Sequence, residues 1–185
     1  MRVGGVDTRD VDLQRLRARI GLVTQEVQLF RGTLRDNLTF FDPSVPDEVI
    51  LDVLAELGLG AWLRGQEQGL DTELDSGGRN LSAGEAQLIA FARVFLKDPG
   101  LVILDEPSSR LDPVTERRLE VALERLLHGR TAIVIAHRLE TVERVDEIMV
   151  MDGGRVVEAG PRAALAADPA SRYARLRRAA LALDL

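Results

Sequence analysis

Two apolar runs in this chain stop at polar groups capable of chemistry. Leu101-Val102-Ile103-Leu104 ends in Asp105-Glu106-Pro107, and Thr131–Ala136 ends in His137-Arg138. If both runs are neighbouring parallel strands, their carboxyl ends share the sheet edge at which open α/β folds bind ligands. A carboxylate at that edge holds Mg2+ through its water shell, and a second one polarises an attacking water. His137 would stand beside them. Taken alone, Asp105-Glu106-Pro107 also reads as a strand end running into a turn, and a lone histidine is more often structural. A third group, Ser82-Ala83-Gly84-Glu85, is a Ser-x-x-Glu capping box, which explains its spacing fully. The same geometry leaves backbone N–H groups at a helix start, a ready phosphate site, with Gly84 letting a phosphate come close to the backbone. Gln25, after the β-branched run Ile20–Thr24, is a weaker candidate, because a neutral amide there commonly marks a turn.

These groups need elements to hold them. The pattern predicts a short strand around Arg2–Val6, a polar helix from about Val11 to Arg19, and a strand over Ile20–Thr24. Pro46 opens a helix with apolar Val49, Ile50, Val53, Leu54 and Leu57, closed by Gly58. Asp71 to Asn80 reads as a polar loop. Ser82 starts a helix that runs to about Lys97 and stops at Asp98-Pro99-Gly100. Leu101–Leu104 and Thr131–Ala136 read as buried strands of a parallel sheet. Between them lies a helix capped by Asp112 and Pro113, with the stripe Leu119, Ala122, Leu123, Leu126 and Leu127, closed by Gly129. Glu147–Met151, Gly153-Gly154 and Arg155–Glu158 form a β-hairpin. A terminal helix over Asp168–Leu185 carries Arg172, Arg175, Arg177 and Arg178 on or near a wet face.

Composition bounds the rest. The 185 residues carry 24 basic and 30 acidic side chains, a net charge of −6, which argues against a general nucleic-acid binder. With 4% aromatic residues there are few platforms on which bases could stack. The absence of cysteine removes disulfides and thiolate metal sites. No apolar run approaches the roughly 20 residues that span a bilayer. The only lysine, Lys97, is followed by Asp98. A P-loop requires Lys followed by Ser or Thr after a Gly-rich turn, so none lies within these residues.

The joint order of the groups is more specific than any of them. Gln25 after a strand, Leu81-Ser82-Ala83-Gly84-Glu85, Leu104-Asp105-Glu106-Pro107, Ser108-Ser109-Arg110-Leu111-Asp112 and Ala136-His137-Arg138 together resemble the nucleotide-binding domain of ATP-binding cassette (ABC) transporters, from the N-terminus to about Gly160. Gln28-Leu29-Phe30-Arg31-Gly32-Thr33-Leu34-Arg35-Asp36-Asn37-Leu38, and Asp71-Thr72-Glu73 ahead of Arg79-Asn80-Leu81-Ser82, look like the exporter type.

The resemblance implies an α/β fold with a mostly parallel, incomplete P-loop NTPase-like sheet and a helical subdomain inserted between Q-loop and signature motif. Residues 1–30 and 98–160 would be core, 31–97 the helical subdomain with the signature helix, and 161–185 a helical tail. It implies ATP and Mg2+ as ligands, with Gln25 (the Q-loop glutamine) and Asp105 (the Walker B aspartate) toward the metal. Glu106 would be the general base and His137 the switch histidine. Ser82 and Gly84 would contact ATP held by the opposite domain, and Asp112 of the D-loop would lie at the dimer interface. The implied partners are a transmembrane domain, in the same or a separate chain, and a second nucleotide-binding domain packed head to tail. The implied place is the cytoplasmic face of the inner membrane, and no nucleic acid is expected.

This chain departs from the family at the signature, Leu-Ser-Ala-Gly-Glu where Leu-Ser-Gly-Gly-Gln is usual, and at Arg110, where a small residue is usual. Both the adenine-stacking aromatic residue and the P-loop would precede the first residue, so the chain is expected to begin mid-domain. The sheet would then lack a strand, with an apolar edge or face exposed beside Leu101–Leu104 and Thr131–Ala136. Alone, the chain is expected not to hydrolyse ATP. The alternatives are a non-catalytic or regulatory partner that supplies the signature in trans, and a soluble ABC-type ATPase.

Overall fold

A computed structural model describes residues 2–24, 26–78, 80–105, 113–136 and 142–181. The chain falls into two compact units, 1–135 and 136–185.

The first unit holds a three-stranded parallel sheet of β3 (Ile20–Val23), β6 (Leu101–Asp105) and β7 (Thr131–Ile135), with β6 in the centre. Ile20 lies opposite Leu101 and Leu101 opposite Thr131, so the three carboxyl ends emerge along one edge. Val102 and Leu104 are fully buried while Leu101 and Ile103 are half-buried, so β6 turns its alternate side chains to one covered face. The other strand expected to be buried differs. Ile133 and Ile135 of β7 are each 47% exposed, because β7 is the outer strand of this sheet and has only β6 beside it among the described residues.

At the amino end, one strand was expected over Arg2–Val6. Instead β1 (Arg2–Val3) and β2 (Val6–Asp7) pair antiparallel about Gly4-Gly5, whose φ angles of 57° and 81° suit a tight hairpin turn. Helix α1 is shorter than the pattern suggested, Leu13–Ala18, since Asp12 caps it by accepting from the N–H groups of Gln14 and Arg15.

Between β3 and β6 the chain is helical: α2 (Leu34–Thr39), α3 (Asp47–Glu56), α4 (Gly60–Arg64) and α5 (Ala83–Lys97). The loop expected over Asp71–Asn80 contains β5 (Glu73–Leu74), which pairs with β4 (Gly32–Thr33). Arg35 bridges Asp47 and Asp71, tying α2 to the start of α3 and to the turn before β5. Leu34, Leu38, Ile50, Leu54, Ile89 and Phe91 form the centre of this layer, all essentially inaccessible to water. Helix α5 packs on the sheet closely enough to need a glycine. A Cβ on Gly21 of β3 would lie 2.5 Å from Val94 Cγ1 and 2.8 Å from Pro99 Cγ. Helix α6 (Pro113–Leu127) buries Leu119, Ala122 and Leu126, the stripe its periodicity predicts.

The second unit is the predicted hairpin, β8 (Glu147–Asp152) and β9 (Arg155–Pro161), with α7 (Arg162–Ala167) and α8 (Arg172–Leu181). Glu158 caps α8 from the strand. Its carboxylate accepts from the N–H groups of Arg172 and Tyr173 at 2.8 Å and from Ser171 Oγ at 3.1 Å, and these bonds hold its pKa below the ordinary value.

Candidate functional site

The N-terminus of α5 is built as the capping-box spacing requires. Ser82 Oγ accepts from Glu85 N–H at 3.2 Å, and the Glu85 carboxylate accepts from Ser82 N–H at 2.7 Å and Ser82 Oγ–H at 2.8 Å. Ser82 and Ala83 are exposed and Gly84 is buried. Among the described residues no acceptor takes the N–H groups of Ala83 and Gly84, which open the helix and carry its partial positive charge. An anion approaching from solvent therefore meets the exposed Ser82 and Ala83 at the helix start. It also meets the Glu85 carboxylate that Ser82 already grips, and this opposes it.

Asp105 ends β6, half-buried, and pairs in the ladder with Ile135. The parallel register thus sets the end of β6 beside the end of β7, as the paired polar ends in the sequence suggested. Glu106, Asp112, His137 and Gln25 lie outside the described residues. Among the described residues no group of three or more His, Asp or Glu side chains forms a metal cage. Asp105 fits Mg2+ as a single carboxylate at a sheet edge, the usual way this cation is held when phosphate and water complete its shell.

A knot beneath the segment that follows Gln25 was missed in the sequence. Arg93 of α5 is 9% exposed, and Asn37 of α2 is fully buried. Arg93 Nε donates to the Asn37 carbonyl at 2.6 Å, Nη1 to the Gln28 carbonyl at 2.8 Å, and Nη2 to Asn37 Oδ1 at 3.1 Å. Its guanidinium lies 4.8 Å from the Phe40 ring centre and 5.8 Å from that of Phe30. Burial pushes its pKa down to about 10, so it remains a cation at neutral pH. Above it Phe30, Phe40 and Phe41 touch edge to face and stay 41%, 59% and 54% exposed. Phe40 and Phe41 hold left-handed backbone, φ 54° and 63°, unusual for bulky residues. The sequence signal was an arginine inside the apolar run Ala90-Phe91-Ala92-Arg93-Val94.

The comparisons with known proteins decide the family. A model of the ABC transporter family matches residues 1–109, more than half of the chain. The chain belongs to the ABC transporter family. Its relatives are of the exporter type. The lipid A-core flippase of Thiobacillus denitrificans is 46% identical over 176 residues, 93% of this chain and 30% of the flippase. A β-(1→2)glucan export ATP-binding/permease protein of Rhodopseudomonas palustris is 41% identical over 160 residues, 86% of this chain and 26% of that protein. Among solved structures, a bacterial Atm1-family ABC exporter with ATP bound superposes with a TM-score of 0.83 at 32% identity, over 94% of this chain and 30% of the exporter. The chain thus spans less than a third of the length of these relatives. Its architecture is that of an ABC exporter's nucleotide-binding domain. No helix among the described residues is long and apolar enough to cross a membrane.

Proposed function

We propose that this chain is the signature-bearing part of an ATP-hydrolysing domain that powers export across a membrane from its cytoplasmic face. The observation that carries the reading is the exposed Ser82-Ala83 start of a fifteen-residue helix in a chain 46% identical, over 93% of its own length, to an ATP-dependent lipid A-core flippase. Ser82 and the first-turn amides meet the γ-phosphate of ATP held by a second nucleotide-binding domain packed head to tail, with Asp112 at that interface. When bound, Mg2+ neutralises charge on the phosphates. Asp105 and Gln25 are the residues to hold it, Glu106 takes a proton from the attacking water, and His137 faces the γ-phosphate. The transmembrane domain docks on the helical layer, where three exposed phenylalanines present an apolar patch.

The 185 residues contain no Gly-Lys-Ser/Thr loop, and on this reading the chain by itself is expected not to hydrolyse ATP. Reading the gene in frame upstream of the Met1 codon tests the proposal. An uninterrupted frame encoding such a loop and membrane-spanning helices supports it, and in that full-length protein Glu106→Gln should lower ATP turnover about 100-fold or more. A stop codon with its own ribosome site refutes the ATPase reading. What would then stand is a non-catalytic partner, tested by co-purification with an intact cassette and its loss in Ser82→Arg.

A further inference from the structure

The family's two signature glycines correspond here to Ala83 and Gly84, and the structure treats the two positions differently. Ala83 is exposed, so its methyl group projects into water. Gly84 is buried, and a Cβ built on it would overlap the methyl group of Thr115, in the first turn of α6, and lie 3.2 Å from Thr115 Cβ. Thr115 follows Asp112 by three residues.

We propose that Thr115 is a positioning residue for the signature segment: its methyl group packs on the Cα of Gly84 and fixes where Ser82 stands. This rests on the reading of Ser82 as a nucleotide contact. Gly84 and Ser82 share one helical turn, and the capping box makes that turn stiff, since Ser82 is bonded to Glu85 through both its N–H and its Oγ. A shift of α5 against α6 at Gly84 therefore moves the Ser82 hydroxyl by a similar amount. Closing the Gly84 position to a methyl group while leaving position 83 open accounts for the sequence Ser-Ala-Gly rather than Ser-Gly-Ala. The constraint on Gly84 is the neighbouring helix, in addition to any phosphate.

The test is a cycle of Gly84→Ala, Thr115→Ser and the double variant in the full-length protein, with Thr115→Ala in place of Thr115→Ser as a second series. Thr115→Ser deletes only the overlapping methyl group and keeps Oγ1, which would lie 3.6 Å from the new Cβ. Two quantities are read: the thermal midpoint, and ATP turnover per folded molecule well below every midpoint, resolved into kcat and KM. Gly84→Ala should lower the midpoint and reduce kcat by about 10- to 100-fold, the scale of an ångström's misplacement of a catalytic contact. Adding Thr115→Ser or Thr115→Ala should recover most of both.

If neither double variant melts above Gly84→Ala, the two residues do not pack and the proposal fails. If the midpoint recovers while kcat stays low, Gly84 acts on the nucleotide directly and the positioning role fails. If Gly84→Ala turns over normally when folded, the contact is merely structural and the role fails again. Should the unsubstituted full-length protein not hydrolyse ATP, the functional reading falls and the positioning role with it. The unfolding cycle would still decide, separately, whether Thr115 packs on Gly84.

Discussion

Replacing Arg93 distinguishes a buried cation kept for its shape from one kept for its charge. Its three donors fan out to three acceptors, the carbonyls of Asn37 and Gln28 and the amide oxygen of Asn37. In Arg93→Met the Asn37 side-chain oxygen keeps a partner, because it also accepts from Phe30 N–H at 2.8 Å. The two backbone carbonyls lose theirs, at about 1–3 kcal/mol each. Loss of the guanidinium from the Phe40 and Phe30 faces adds about 0.5–1 kcal/mol apiece. Against this, methionine removes a buried charge. The guanidinium's depression to about 10 corresponds to roughly 3 kcal/mol of burial cost at neutral pH. The net is a loss of about 0–5 kcal/mol, centred on about 2–3, and the centre corresponds to about 5–10 °C in the melting midpoint for a chain of this length.

Arg93→Lys should do worse. An ammonium keeps the burial cost, is more strongly hydrated, and has no planar fork to span carbonyls on two segments. The sign of the pH effect follows from the depressed value. Between about pH 10 and the ordinary guanidinium range the unfolded chain binds the proton and the folded one sheds it, so the Arg93 contribution to stability rises with pH there and is smallest at neutrality. The assay is thermal unfolding near neutral pH followed by fluorescence of Trp62, the only tryptophan, which sits in α4 and reports on the first unit alone. The expected order of midpoints is Arg93, then Met, then Lys. A lysine variant that melts with the parent, or above the methionine variant, would refute the reasoning, because charge and not geometry would then hold the knot.

Three further outcomes are expected. Gly21→Ala should cost about 1–3 kcal/mol of stability by overpacking against Val94 and Pro99 and so lower the midpoint, and Val94→Ala in the same chain should restore much of it. Glu158, depressed by its bonds to the start of α8, stabilises the second unit at neutral pH and loses that contribution as acid protonates it below the ordinary carboxylate range. Amide exchange of Tyr173 and Ala174 followed from pH 6 to about 3 should show α8 loosening before the first unit melts, and unchanged protection would count against the cap. Glu85→Gln keeps the capping box while removing an anion from the helix start, so ATP-dependent pairing with a second cassette should tighten about two- to fivefold, the worth of one charge at a helix N-terminus. Equal or weaker pairing would show that the carboxylate does not oppose the phosphate.

What the sequence revealed and what it hid divide along the range of the interactions. The capping box at Ser82, the end of β6 at Asp105, the stripe of α6 and the Gly153-Gly154 hairpin are set by neighbours a few residues apart, and their spacing displays them. The burial of β7 was misjudged because composition reports how apolar a strand is, while exposure depends on which strands and helices come to lie beside it. Arg93 and Thr115 stayed hidden for the same reason. Their partners lie 56 and 65 residues upstream in one case and 31 upstream in the other, and no periodicity links them.

These two contacts belong to one element. Helix α5 meets Thr115 at its first turn and, at Arg93, grips the carbonyl of Gln28, three residues past Gln25, together with the aromatic patch on α2 and its flanks. Arg93 and Ser82 are separated by 11 positions, about 16 Å along a helix without an internal break. On the positioning role proposed for Thr115, Phe40 is linked to Ser82 through the guanidinium and the helix, and the Gly84–Thr115 contact sets where that helix starts. Phe30, Phe40 and Phe41 cluster by the one deeply buried cation among the described residues, and two of them, Phe40 and Phe41, sit on left-handed backbone. Stacking on Arg93 fastens the exposed patch to the signature helix, which a purely apolar seat, lacking directional bonds to the Gln28 and Asn37 carbonyls, would do less stiffly.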